Sequence, residues 1–256
     1  MSRNKANKLL LLLGGTSQAR MLCDKLSQGG YAVIYSLAGR TEQPLHPKYA
    51  NAIRSGGFGG ILGLTAFLKR NHISAVIDAT HPFAQKMSNN AVAATNSLNL
   101  PLMRLEREQW PEPKAAQNPT WSLFDDQTAL ITAMESLPAS RIFLALGSAK
   151  VLDFFALKQH HFLLRSVQPL ATALPDNAQN ILARGPFDYE QEQELLRAHN
   201  IDLLVAKNAG GMEGYNKIKA AYALNIPCWL IAAPKLLPAK TCTQTREILD
   251  WLKAAL

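Results

Sequence analysis

The sequence predicts an α/β protein of two Rossmann-like domains, each a doubly wound, mainly parallel sheet, with a cleft between them. Three observations predict it. Short apolar runs of strand length alternate with helical patterns along nearly the whole chain. Glycine-containing turns follow several of the strands, which is where open parallel sheets take their ligands. The 256 residues are 48% hydrophobic but only 7% aromatic, enough for aliphatic cores in one large domain or in two of ordinary size.

The elements follow in order. "LLLLL" (9–13) is a buried strand, and Thr16–Gln28 is a helix with Ala19, Leu22, Cys23 and Leu26 on one face. Gly29-Gly30 ends that helix, and "YAVIYSLAG" is a second strand. "NAIRSGGFGG" holds a short third strand and a glycine-rich turn, and "ILGLTAFLKRNHI" is a helix. "SAVIDATHPF" is a fourth strand, "AQKMSNNAVAATNSLNL" a helix opened by His81-Pro82, and "PLMRLER" a fifth strand. Residues 1–107 therefore read as a nucleotide-binding domain. Residues 108–122, "EQWPEPKAAQNPTWS", carry three prolines and no helical period, and read as a connection. Residues 123–256 read as a second α/β domain. Its strands are "RIFLALG", "HFLLRSV", "NILARG", "DLLVAKN" and "PCWLIAA". Its helices are "SAKVLDFFAL", "YEQEQELLRAHN", "YNKIKAAYALN" and "TQTREILDWLKAAL".

Composition excludes several classes. The net charge of +8 is spread, with no Lys/Arg block and no aromatic ladder. That pattern fits an anionic small molecule and gives no reason to expect nucleic acid. No apolar run approaches the length of a membrane span. The five leucines after "MSRNKANK" are too few for a signal-peptide core, so a cytoplasmic location is expected. Cys23, Cys228 and Cys242 are isolated and read as small buried hydrophobes, and the six histidines lack ligand spacing. No metal site is expected; "HH" at 160–161 reads as a strand entry. Trp121, Trp229 and Trp251 fit core and interface equally, which leaves the oligomeric state open.

Five loops at strand ends carry the candidate chemistry. In "GGTSQA", the N–H groups at the helix start suit an anion, with Thr16 or Ser17 adding a hydroxyl or simply capping the helix. The glycine motif is truncated, since Thr16 stands where the second glycine is usual. After the second strand, Ser36 and Arg40 replace the carboxylate that binds an unmodified ribose, a combination suited to a 2′-phosphate. "GGFGG" (56–60) implies close backbone approach to a ligand. In "DATHPFA", Asp78 reads as a cap for the next helix in preference to a catalytic carboxylate. The extended His81, placed before a proline, points into the crevice. "AKNAGG" and "ARGPF" place Lys207 and Arg184 at strand ends beside glycines, both charges facing the cleft.

Taken in order, "LLLGGTSQAR", "SLAGRT", "GGFGG" followed by Gly63-Leu64, "VIDATHPFA", "PLMRLER" with Trp110, and "AKNAGG" resemble the precorrin-6A reductase family of corrin biosynthesis. The resemblance covers nearly the whole chain. Gln18 stands where the family more often has Glu, and Ala209 where it more often has Ser. The resemblance implies NADPH, with NADH as the alternative, donating a hydride to a double bond of precorrin-6A or cobalt-precorrin-6A. The implied cofactor contacts are Gly14, Gly15, Thr16, Ser17, Ser36, Arg40, Gly57, Phe58 and Thr80. The implied substrate contacts are His81, Arg184, Gly185, Lys207 and Asn208. The cations suit the many carboxylates of the macrocycle. No catalytic triad is expected, and His81 or water is the candidate proton source. Two other readings are a reductase of a different small polyanion and a nucleotide sensor without catalysis.

Overall fold

A computed structural model describes residues 8–39, 42–111, 121–147 and 151–256. The chain forms two units, residues 1–107 with 234–256, and residues 108–233.

In the first unit the chain order is β1 (Leu9–Leu13), α1 (Ser17–Gln28), β2 (Ala32–Leu37), β3 (Ala52–Ser55), α2 (Gly60–Arg70), β4 (Ala75–Asp78), α3 (Gln85–Asn96) and β5 (Leu102–Leu105). Then come the elements of the second unit. They are β6 (Trp121–Phe124), α4 (Gln127–Met134), β7 (Arg141–Ala145), β8 (His161–Ser166), β9 (Ala178–Leu182), α5 (Tyr189–Ala198), β10 (Leu203–Lys207), α6 (Met212–Ala223) and β11 (Cys228–Ile231). The chain then returns to the first unit with β12 (Lys240–Cys242) and α7 (Thr245–Ala255).

Each unit is a six-stranded sheet, ordered β12-β5-β4-β1-β2-β3 and β6-β11-β10-β7-β8-β9, with every strand pair parallel. Both orders place the switch point beside the first central strand, between β1 and β4 and between β7 and β10.

The leucine run shows why β1 lies at the centre. Leu10 and Leu12 enter the core under α1 and α7, and Leu11 and Leu13 enter the opposite core under α2 and α3. A strand covered on both faces has no polar alternation to display. The predicted face of α1 holds, since Ala19, Leu22, Cys23 and Leu26 are all buried. In the second unit Phe143, Leu163, Leu204 and Leu230 pack under Leu196 of α5 and Ile218 of α6.

The structure departs from the sequence reading at several elements. Residues 234–256 belong to the first unit, because β12 pairs with β5 and Ile248 and Leu252 of α7 complete the α1 core. Trp121 and Ser122, read as connection, begin β6, and Glu108 and Trp110 already belong to the second unit. Strand β6 and helix α4 were absent from that reading. In "SAKVLDFFAL", Leu152–Ala156 is a single 3-10 turn, and residues 148–150 lie outside the described residues. The helix expected at His81-Pro82 begins at Gln85. The "NILARG" strand stops at Leu182, which leaves Arg184 on the loop beyond it. His161 does open β8, with His160 fully buried and its Nε2 3.0 Å from the Met134 carbonyl.

Candidate functional site

At the carboxyl end of β1, the Gly14 N–H donates to the Ser36 carbonyl (2.9 Å) and the Gly15 N–H donates to the Tyr35 hydroxyl (3.0 Å). Tyr35 is fully buried, and burial pushes its phenol pKa up, so it stays protonated. A Cβ at Gly14 would lie 2.4 Å from the Tyr35 ring, so only glycine lets that ring underpin the turn. A Cβ at Gly15, where φ is +107°, would meet nothing within 4 Å, so the turn is open on its outer side.

Thr16 is nearly buried, and its hydroxyl accepts from the Ala19 N–H and donates to the Ala79 carbonyl, each at 3.1 Å. It therefore caps α1 and ties the β1 loop to the β4 loop. The N–H groups of Ser17 and Gln18 have no acceptor among the described residues. They are the donors this helix end has left to offer an anion.

Ser36, at the end of β2, is 5% exposed, and its Oγ accepts from Arg54 Nη1 at 2.7 Å. Arg40 lies outside the described residues. Arg54 is one of the residues that sequence reasoning missed. It stands opposite Ser36 in the β2–β3 register and donates to the carbonyls of Gly56 (2.8 Å) and Gly57 (3.0 Å). Its guanidinium lies 3.8 Å from the centre of the Phe58 ring, and burial lowers its pKa from the ordinary value. Arginine nevertheless remains charged at any physiological pH. The glycine-rich loop is thus held from beneath by a cation. The only signal in the sequence was an arginine two residues before the glycines.

The β4 loop is organised differently. Asp78 is 1% exposed and does not cap α3, which has no side-chain cap. Its Oδ1 accepts from the Thr80 N–H (3.2 Å) and hydroxyl (2.8 Å), and its Oδ2 accepts from Arg104 Nε (3.2 Å). Arg104, on β5, also donates through both terminal nitrogens to the Leu237 carbonyl, at 3.2 Å each. His81 is half-buried, and its Nδ1 accepts from the Phe83 N–H at 3.2 Å. In the neutral ring that bond keeps the proton on Nε2.

In the second unit Lys207 ends β10, and its Nζ donates to the Leu146 carbonyl at 2.8 Å. Asn208 Oδ1 is buried with no hydrogen-bond partner among the described residues, and the Asn208 N–H donates to the Ile231 carbonyl. The glycines after it are fixed by Trp110, whose Nε1 donates to the Gly211 carbonyl at 2.8 Å. Arg184 is exposed. Gly185 packs beside the Phe187 ring, which lies 3.6 Å from the guanidinium of Arg165; that cation pairs with Glu192 at 2.7 Å. Among the described residues no three His, Cys, Asp or Glu side chains come together as a metal site, and no helix is long and apolar enough to cross a membrane.

Residues 9–253 match the family described as precorrin-6x reductase CbiJ/CobK. The chain belongs to the precorrin-6x reductase family. It is 41% identical over 244 residues to precorrin-6A reductase of Rhodobacter capsulatus, covering 95% of each chain. To cobalt-precorrin-6A reductase of Priestia megaterium it is 29% identical, over 89% of this chain and 91% of the other. The solved structure of CobK precorrin-6A reductase superposes with a TM-score of 0.89 at 40% identity, over 97% of each chain. That match extends the two-sheet architecture to a precorrin-6x reductase of known structure. Membership also implies a nicotinamide cofactor. The β1 turn fits one, since it has an open outer side and, among the described residues, no acceptor for the first-turn N–H groups of Ser17 and Gln18 at the switch point.

Proposed function

We infer that this chain reduces precorrin-6A with NADPH in cobalamin biosynthesis, in the cytoplasm. The carrying observation is the turn after β1. Its donors suit a pyrophosphate, on a chain that matches a precorrin-6A reductase over 95% of each chain. Greater identity to the precorrin-6A enzyme than to the cobalt-precorrin-6A enzyme favours the cobalt-free substrate.

The bound nicotinamide supplies the hydride; the chain supplies position and charge. Gly14, Gly15, Thr16 and Ser17 form the pyrophosphate turn, with Gly57, Phe58 and Thr80 lining the same cofactor. Ser36 stands where a carboxylate would select an unmodified ribose, and its hydroxyl is already tied to a cation. Together with Arg40 this supports a 2′-phosphate and hence NADPH over NADH. Arg184, Gly185, Lys207 and Asn208 bind the carboxylates and polar edges of the macrocycle. The proton for the carbon beside the reduced one comes from water or from His81 as its imidazolium, a form in which Nδ1 carries a proton and no longer accepts from the Phe83 N–H.

The test mixes the protein with NADPH and enzymatically made precorrin-6A and follows the absorbance of reduced nicotinamide. Oxidation is expected with precorrin-6A, faster with NADPH than with NADH and faster than with cobalt-precorrin-6A. Oxidation only with a different polyanionic acceptor overturns the substrate assignment.

A further inference from the structure

The polar group behind Thr80 fixes the direction of its proton, and this has a consequence for the ligand. Arg104 cannot give up its charge, and it is buried against Asp78 with side-chain exposures of 7% and 1%. A neutral Asp78 would strand that cation, so the carboxylate is ionised and only accepts. Thr80 Oγ1, 2.8 Å from Asp78 Oδ1, must therefore spend its one proton on the carboxylate. Ser88 Oγ, 3.2 Å from the same Thr80 oxygen and itself 2% exposed, must then be the donor into it. Thr80 is half-buried at the end of β4, across the switch point from the β1 turn. What it has left is a lone pair.

We propose that Thr80 is an acceptor-only contact for the nicotinamide half of the cofactor, held in that state by Asp78, Arg104 and Ser88 as positioning residues. This rests on the nicotinamide reading given above. A group arriving at Thr80 must bring its own N–H or O–H. A carboxamide or a ribose hydroxyl does so; a phosphate oxygen does not, and it would also meet the carboxylate behind. The β1 turn differs, since it presents the N–H donors of Ser17 and Gln18 and takes the anionic middle of the dinucleotide. The two sides of the switch point thus sort the cofactor by hydrogen-bond polarity and fix which end lies over β4.

The test compares NADP⁺ with 2′,5′-ADP, which lacks the nicotinamide half, by titration calorimetry on the full chain. Thr80→Val should weaken NADP⁺ by about 3- to 10-fold, the worth of one neutral hydrogen bond. Binding of 2′,5′-ADP should stay within about twofold, which also reports that the first unit is folded. Thr80→Ser, which restores the hydroxyl, should recover NADP⁺ affinity. Equal weakening of both ligands would make Thr80 a structural tie and overturn the proposal, as would no weakening of either. If the unsubstituted protein binds 2′,5′-ADP but not NADP⁺ any better, the acceptor role alone falls. If it binds neither, the nicotinamide reading falls and takes the proposal with it.

Discussion

Both units place an arginine over a phenylalanine of a loop that follows an edge strand, but they treat its charge in opposite ways. Arg54 of the first sheet lies 3.8 Å from the Phe58 ring and, among the described residues, bonds only to neutral acceptors, Ser36 and the Gly56 and Gly57 carbonyls. Arg165 of the second lies 3.6 Å from the Phe187 ring and is paired with Glu192, itself 2% exposed. The first pin keeps a net positive charge beside the end of β2. The second is neutralised in place by Glu192, and the cations assigned above to the substrate, Lys207 and Arg184, are separate residues. Two parallel six-stranded sheets therefore differ in whether the scaffold's own arginine adds to the local positive field.

The comparison can be broken most forcefully at the neutralised pin. Glu192→Ala leaves Arg165 buried without its counter-charge, and about 3–5 kcal/mol of stability should be lost, read as a fall in thermal midpoint. NADPH binding should be little affected in whatever fraction remains folded. The charged pin should answer in the other way. Arg54→Gln strands no buried carboxylate, so stability should drop by only about 1 kcal/mol, while the Michaelis constant for NADPH rises. Arg40→Ala should raise that constant by about 10- to 100-fold with NADH little changed, because only NADPH carries the extra phosphate. Equal effects on both cofactors would show that these arginines only hold the loops.

On the second unit, Lys207→Met removes a cation while preserving bulk. The Michaelis constant for precorrin-6A should rise about tenfold with that for NADPH unchanged, since a charge-assisted bond contributes roughly 1.5–3 kcal/mol. The smallest effect belongs to the buried thiols. Burial pushes the Cys228 pKa from 9.0 up to about 12. A pKa raised by folding gives stability that is complete below pH 9 and lost as pH climbs from 9 towards 12. Denaturation titrations should show Cys228 contributing nothing to the pH dependence near neutrality. By pH 10 they should show a loss of about 1 kcal/mol that Cys228→Ala removes from the pH dependence.

The central part of the fold was legible because it is written locally. Five leucines in a row, two glycines and a helical face spaced as Ala19, Leu22, Cys23 and Leu26 need no partner to be read. The cap by Thr16 was also foreseeable from residue type and position. The strands that were missed are edge strands of three and four residues, and "KTC" has no apolar run at all. Their place depends on which distant strand lies alongside, and periodicity carries no such information. The same limit hid the site's supports. Arg54 meets Ser36, and Arg104 meets Asp78, only through lateral register between β2 and β3 and between β4 and β5. Residue type and position alone therefore make Asp78 read as a cap, when its partner lies one strand away.

The return of the chain to the first sheet has a consequence for synthesis on the ribosome. Strand β5 has one neighbour, β4, until β12 arrives, and β12 lies beyond the whole of residues 108–233. At elongation rates of about 5–20 residues per second that stretch takes roughly 6–25 s to make, long compared with the folding of a small domain. For that time β5 offers a bare row of peptide groups, the kind of edge on which a second nascent chain can pair. The hydrogen bonds from Arg104 to Leu237 and from Leu237 to Asn89 become available only when the returning segment is in place. They act as a latch that closes the edge. A chain cut after residue 233 would keep every residue assigned to the cofactor and lose the latch, and it should accumulate as aggregate rather than as a weakened enzyme.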